Sequence, residues 1–135
     1  MDQDAEHLRL LSIFHYIMGG VAAFGACFFI IHIVMGAVMA GSPATFNGSG
    51  GPPPRAFGFI FMIMGSLALL FGWAMAALLI FAGRFLGRRK HYLFCMVVAG
   101  VSCIFMPFGT ILGVFTLIVL QRPRVREMFN APATA

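Results

Sequence analysis

Apolar residues occupy four blocks of the chain, at about residues 19–40, 56–83, 91–106 and 110–121, and polar positions are pushed into the gaps between them. Val21 to Ala40 is a run of 20 residues without a formal charge, which matches one bilayer crossing of about 20 residues. The segment before it, residues 2–18, opens with acids and then alternates faces, with Leu10, Leu11, Phe14, Ile17 and Met18 opposite Arg9, Ser12 and Tyr16. That three-to-four spacing predicts a helix, either an amphipathic one lying at the headgroups or the first turns of one long helix. A helix from Leu8 to Ala40 would be ~50 Å long against a hydrocarbon core of about 30 Å. The excess favours an interfacial or protruding start, hinged at Gly19-Gly20.

Residues 41–54 are rich in glycine and proline and cannot continue a helix. They carry no charge before Arg55, and Asn47-Gly48-Ser49 reads as a flexible turn or a glycosylation acceptor. The second block, Ala56 to Gly83, is 28 residues without a charge. Gly58, Gly65 and Gly72 recur in it every seven residues, with Ser66, Ala68 and Ala76 as further small positions. This spacing keeps the glycines near one helical stripe, a seam where a neighbouring backbone can come close. The third block runs from Tyr92 to Met106 and meets Pro107-Phe108-Gly109-Thr110, a tight turn or a strong kink. The fourth has about 11–13 residues, short of the ~20 needed to cross unaided. Within it, Gly109 and Gly113 form a second small-residue contact motif.

The cations lie in the gaps. Arg84, Arg88, Arg89 and Lys90 form an island between the second and third blocks, and Arg122, Arg124 and Arg126 follow the fourth. With four crossings, these and Arg9 share one side, leaving only Arg55 opposite. Cytoplasmic loops hold such an excess of Lys and Arg. The expected fold is therefore all-α, an integral membrane four-helix bundle of one domain over residues 1–135, with both termini cytoplasmic. Residues 131–135 are expected to fray.

Composition sharpens this picture. The chain is 61% hydrophobic and 10% charged, against roughly 45–50% and about 25% in soluble domains. Lipid must cover the surplus. The net charge of +5 suits anionic headgroups rather than nucleic acid, because the basic runs flank apolar blocks. The acidic start at Asp2, Asp4 and Glu6 is unlike a signal peptide and predicts a retained anchor. Cys27, Cys95 and Cys103 all lie in apolar blocks, where they read as small fillers rather than a disulfide framework.

Aligning His15-Tyr16 with His91-Tyr92 also pairs Val21 with Val97, Ala23 with Ala99, Cys27 with Cys103 and Phe29 with Phe105, six identities in fifteen ungapped positions. This raises a parallel duplication of one hairpin, 15–83 and 91–121, although the second halves of the hairpins align poorly.

Candidate chemistry is sparse. All four acids lie outside the blocks, so no intramembrane carboxylate pair exists for acid–base work. With no phosphate loop, nucleophile elbow or CxxC pair, the chain is not expected to be an enzyme or to carry a cofactor or metal. His32 is the ionisable residue within a span, and it shares a helical stripe with Met35 and Met39. Imidazole and thioether together suit a soft cation, and Met35-x3-Met39 resembles the transmembrane methionine pair of high-affinity copper transporters. Those proteins have three spans and Met-rich outer tails, unlike this chain. The plainer reading is a helix–helix hydrogen bond from His32 with the methionines as packing. His15-Tyr16 and His91-Tyr92 read as interfacial anchors with wet tips, and Trp73, falling mid-span, as a packing residue.

The run Pro107-Phe-Gly-Thr-Ile-Leu-Gly-Val-Phe-Thr-Leu-Ile-Val-Leu120 before a basic tail resembles the last hairpin of small uncharacterised bacterial membrane proteins with a Pro-x-Gly-Thr-x-Leu-Gly-x-aromatic run. The likeness extends loosely to His15-Tyr16 and to the four-span layout. It implies a fold and an inner-membrane location, and no activity. Four-span eukaryotic junction proteins share the layout but have large, cysteine-bearing outer loops, which this chain lacks. The expectation for function is a non-enzymatic accessory protein that forms a homo-oligomer or docks on a larger membrane complex through its glycine faces. The alternatives are a small transporter or channel for a soft metal ion or protons through His32, Met35 and Met39, and lipid or membrane-stress sensing through the amphipathic start and basic loops.

Overall fold

The structure is a computed structural model that describes residues 3–46, 50–104 and 108–130. The regular elements among these are helices: α1 Gln3–Cys27, α2 Ile30–Gly41, a 3₁₀ turn Pro43–Phe46, α3 Arg55–Arg88, α4 Tyr92–Ser102, α5 Phe108–Leu120 and α6 Pro123–Asn130. The Asn47-Gly48-Ser49 triplet, the proline of the turn at 107 and the C-terminal tail lie outside the described residues.

Two stretches, Gln3–Gly41 and Arg55–Arg88, are long and apolar enough to cross a membrane. A third is reached only if α5 and α6, bent by 78° at their junction, count as one. The expectation of four crossings met shorter elements: α4 has 11 residues and α5 has 13, ~17 and ~20 Å at 1.5 Å per residue.

The first helix is continuous from Gln3 to Cys27, so residues before 18 extend it and Gly19-Gly20 is not a hinge. Gly19 is spent on close approach instead, since a Cβ there would lie 3.2 Å from the Ala76 carbonyl oxygen. The helix is interrupted at Phe28-Phe29, where the Phe28, Phe29 and Ile31 amides donate to carbonyls three residues back, the tighter 3₁₀ pattern.

The chain divides into two compact units, Met1–Gly20 with Ala76–Ala135, and Val21–Met75. In the first, α4 and α5 form a close helical hairpin around Gly113, whose missing Cβ leaves room for the Ala99 carbonyl and Cys103. Leu8, Leu11, Leu86, Cys95, Leu112, Val119, Leu120 and Val125 make its apolar core. The short helix α6 turns Val125 fully inward, with Met128 and Phe129 beside it, and leaves Arg124 and Arg126 exposed. In the second unit α2 lies against the first half of α3 along a run of glycines.

The exterior is more apolar than the interior requires. Ser12, His15, Ser102 and Thr116 are buried, while Phe24 is 84% exposed and Phe108 68%. On α1 the buried stripe is Leu8, Leu11, Ser12, His15 and Gly19, and Leu10, Phe14 and Ile17 point out. A water-soluble fold would not leave so many large apolar side chains exposed. The buried hydroxyls are satisfied locally: Ser102 donates to the Val98 carbonyl at 2.7 Å and Thr116 to that of Leu112 at 2.7 Å, bonds that need no second helix.

Candidate functional site

Three places gather the residues that the sequence singles out. The first is the glycine seam of Val21–Met75. Gly36 on α2 and Gly58 on α3 touch backbone to backbone: a Cβ on Gly36 would stand 2.6 Å from the Gly58 carbonyl oxygen, and one on Gly58 2.6 Å from the Ala40 nitrogen. One heptad on, Gly65 admits His32 and Ile33, with 3.0 Å to the His32 Cβ, and Gly72 admits Ala26 at 2.5 Å. The seven-residue stripe therefore receives the chain's own helices. Gly36 joins this seam without a repeat to announce it. In the other unit Gly109 is buried and Gly113 seats α4.

The second place is His32. Its ring lies 6.0 Å from that of Phe28, 5.6 Å from Phe29 and, nearly parallel, 6.2 Å from Phe61. Its Nδ1 is buried with no hydrogen-bond partner among protein atoms. Met39 is half-buried, but Met35 is exposed and faces a shallow apolar hollow of about 270 Å³ beside Ile31 and Val34. The stripe thus divides between an aromatic surround and the outer surface. Among the described residues no three His, Cys, Asp or Glu side chains converge to hold a metal ion.

The third place is the basic end of the first unit. Arg84 and Arg88 belong to α3, so the connection to α4 is only Arg89, Lys90 and His91. The Lys90 amide donates to the Phe85 carbonyl at 3.0 Å and the Arg89 amide to that of Leu86 at 3.3 Å. These are the paired bonds of a Schellman cap, whose left-handed position is commonly glycine. Here Arg89 fills it with φ 53°, and His91 is left-handed too, at φ 54°. The His91 ring is exposed and stands edge-on to Phe85 at 4.7 Å. Tyr92 is half-buried, and its hydroxyl donates to the Leu120 carbonyl at 3.0 Å, which ties the start of α4 to the end of α5. Arg122 reaches Asp4 at 3.0 Å and brings the start of α1 to the same end.

His15 differs from its expected role as a wet-tipped anchor. It is fully buried, its Nδ1 lies 2.9 Å from the Leu11 carbonyl oxygen, and its Nε2 has no protein partner. The neighbouring Tyr16 is 43% exposed. The cause is Gly83, which lets α3 approach until a Cβ would be 3.1 Å from that of His15. The contact missed by pattern reading is Ser12, whose hydroxyl donates to the Gly83 carbonyl at 2.6 Å beside Gly87. A Gly-x3-Gly pair at 83 and 87 was the available signal, masked by the cations around it. Trp73 is 58% exposed rather than packed.

No protein-family model matches the chain, and no curated protein or solved structure does either. The class is carried by the fold itself, an all-helical chain with helices suited to crossing a membrane.

Proposed function

We propose that the chain is a non-enzymatic accessory component of a bacterial cytoplasmic membrane, acting as a homo-oligomer or as a subunit docked on a larger membrane complex. The observation that carries this reading is the apolar exterior, with phenylalanine, leucine and isoleucine side chains broadly exposed around an equally apolar core. Its glycine faces already hold its own helices, so partners meet the apolar flanks rather than the seams. Both termini are cytoplasmic: α1–α2 crosses outward, α3 returns, and the α4–α5 hairpin enters and leaves on the side of Arg84, Arg88, Arg89, Lys90, Arg122, Arg124 and Arg126. Those cations contact anionic headgroups. Purification in mild detergent tests the proposal. An assembly larger than the 14.7 kDa monomer, or a co-purifying membrane protein, is expected. A bare monomer with no companion overturns it.

A second reading, passage of a soft cation or protons, draws on the unpartnered Nδ1 of His32 among three phenylalanines. It requires liposome flux that disappears in His32→Ala, and flux that persists in that variant rejects it.

A further inference from the structure

We infer that the groove between α1 and α5 is a binding site for one acyl chain of an anionic glycerophospholipid, with the phosphate held at the basic end of the same unit. The inference rests on the membrane placement proposed above. The groove encloses about 520 Å³ and is almost wholly apolar. Its floor is Leu11, Leu112 and Val119, each under a tenth exposed, and its walls include Phe14 and Phe115, which are 54% and 61% exposed. Aromatic walls over an aliphatic floor form a channel open to the bilayer, and a flexible hydrocarbon fits it better than a rigid partner helix.

Length and charge select the occupant. Between His7 and Met18, the outermost α1 residues of the groove, the helix rises ~16 Å at 1.5 Å per residue. Half of a hydrocarbon core of about 30 Å is nearly the same, so the groove accommodates one leaflet. The His7 end is the cationic end. The Asp4–Arg122 contact and the Tyr92–Leu120 hydrogen bond place the starts of α1 and α4 at the α5–α6 junction. Arg122, Arg124 and Arg126 gather there with Arg89 and Lys90, which just precede Tyr92, and all five are exposed. The bend of 78° between α5 and α6 turns α6 off the α5 axis at this end of the unit. Asp4 engages Arg122 and leaves Arg124 and Arg126 for a phosphate. No comparable group of cations is found at the Phe108 end among the described residues.

The test is native mass spectrometry of the full chain released from micelles containing equal phosphatidylglycerol and phosphatidylcholine with identical acyl chains. Wild type is expected to retain one phosphatidylglycerol in preference. The double variant Arg124→Gln/Arg126→Gln should lower that preference about thirtyfold, since each cation near an anionic surface is worth roughly a fivefold factor. Ile111→Trp, which fills the groove from an exposed wall, should abolish retention, whereas Val97→Trp on the exposed face of α4 should not. Equal retention of the two lipids, or retention unchanged in either the arginine or the Ile111 variant, overturns the site. So does a protein dimer that Ile111→Trp dissociates without any lipid preference, because a second copy then fills the groove. The arginines are exposed, so their variant decides the matter even if Ile111→Trp fails to fold. Carbonate extraction of the wild type separates this failure from that of the underlying reading, since release into the soluble fraction rejects membrane placement itself.

Discussion

At the scale of single residues, the connection between α3 and α4 concentrates the backbone strain. Arg89 and His91 both hold left-handed φ, a region that costs a side-chain-bearing residue roughly 1–2 kcal/mol relative to glycine's freedom. Arg89→Gly is therefore expected to stabilise the protein by about 0.5–1 kcal/mol after glycine's greater unfolded-state entropy is subtracted. Thermal unfolding in detergent measures it, and a lower midpoint would show that the guanidinium contributes more than the strain removes. Ser12 is the opposite case. Its 2.6 Å hydrogen bond to the Gly83 carbonyl is buried and joins α1 to α3. Ser12→Ala should cost on the order of 0.5–1.5 kcal/mol, read in the same assay. Neither residue stands out in the sequence, because backbone dihedrals and bond partners are not encoded in residue type alone.

Between elements, what distinguishes one glycine from another is the neighbour it faces. A Cβ at Gly36 meets the backbone of α3, whereas at Gly20 and Gly25 it meets nothing within 4 Å. Gly36→Ala should destabilise the protein by about 1–3 kcal/mol through overpacking against atoms that cannot rotate away. Gly20→Ala should be neutral or gain up to about 1 kcal/mol in helix propensity. Chemical denaturation of the pair tests this contrast, and equal effects would mean that α2 and α3 do not approach as closely as their backbones indicate. The repeat of Gly58, Gly65 and Gly72 was legible because a seven-residue period keeps small residues near one stripe. Which surface they would meet was not legible, since a seam looks the same whether its partner is another molecule or the next helix.

On the scale of the whole molecule, the proposed topology rests on charge, and helix length limits it. Single-cysteine variants in a background free of native cysteines should expose Arg55→Cys to a membrane-impermeant maleimide in intact cells and protect Arg89→Cys until the membrane is opened. The reverse labelling would place the basic end outside. The α4 and α5 helices, at 11 and 13 residues, are each shorter than a full straight span, whereas α3, with 34 residues, extends ~50 Å. That length difference is visible in the sequence at Pro107 and Arg122, which bracket the fourth apolar block.

By itself the sequence determined that the chain is helical and holds uncharged runs long and apolar enough to cross a membrane, where their backbone must bond within itself. It also determined which gaps carry the cations. Only the tertiary structure decided which face of each helix turns inward. In α1 the apolar residues that a soluble reading would bury, Leu10, Phe14 and Ile17, look outward, and Ser12 and His15 are enclosed against Gly83. The reason is physical. In a bilayer, hydrophobicity no longer separates inside from outside, so close backbone approach and buried hydrogen bonds choose the packed face, and those depend on a neighbour that no local pattern identifies.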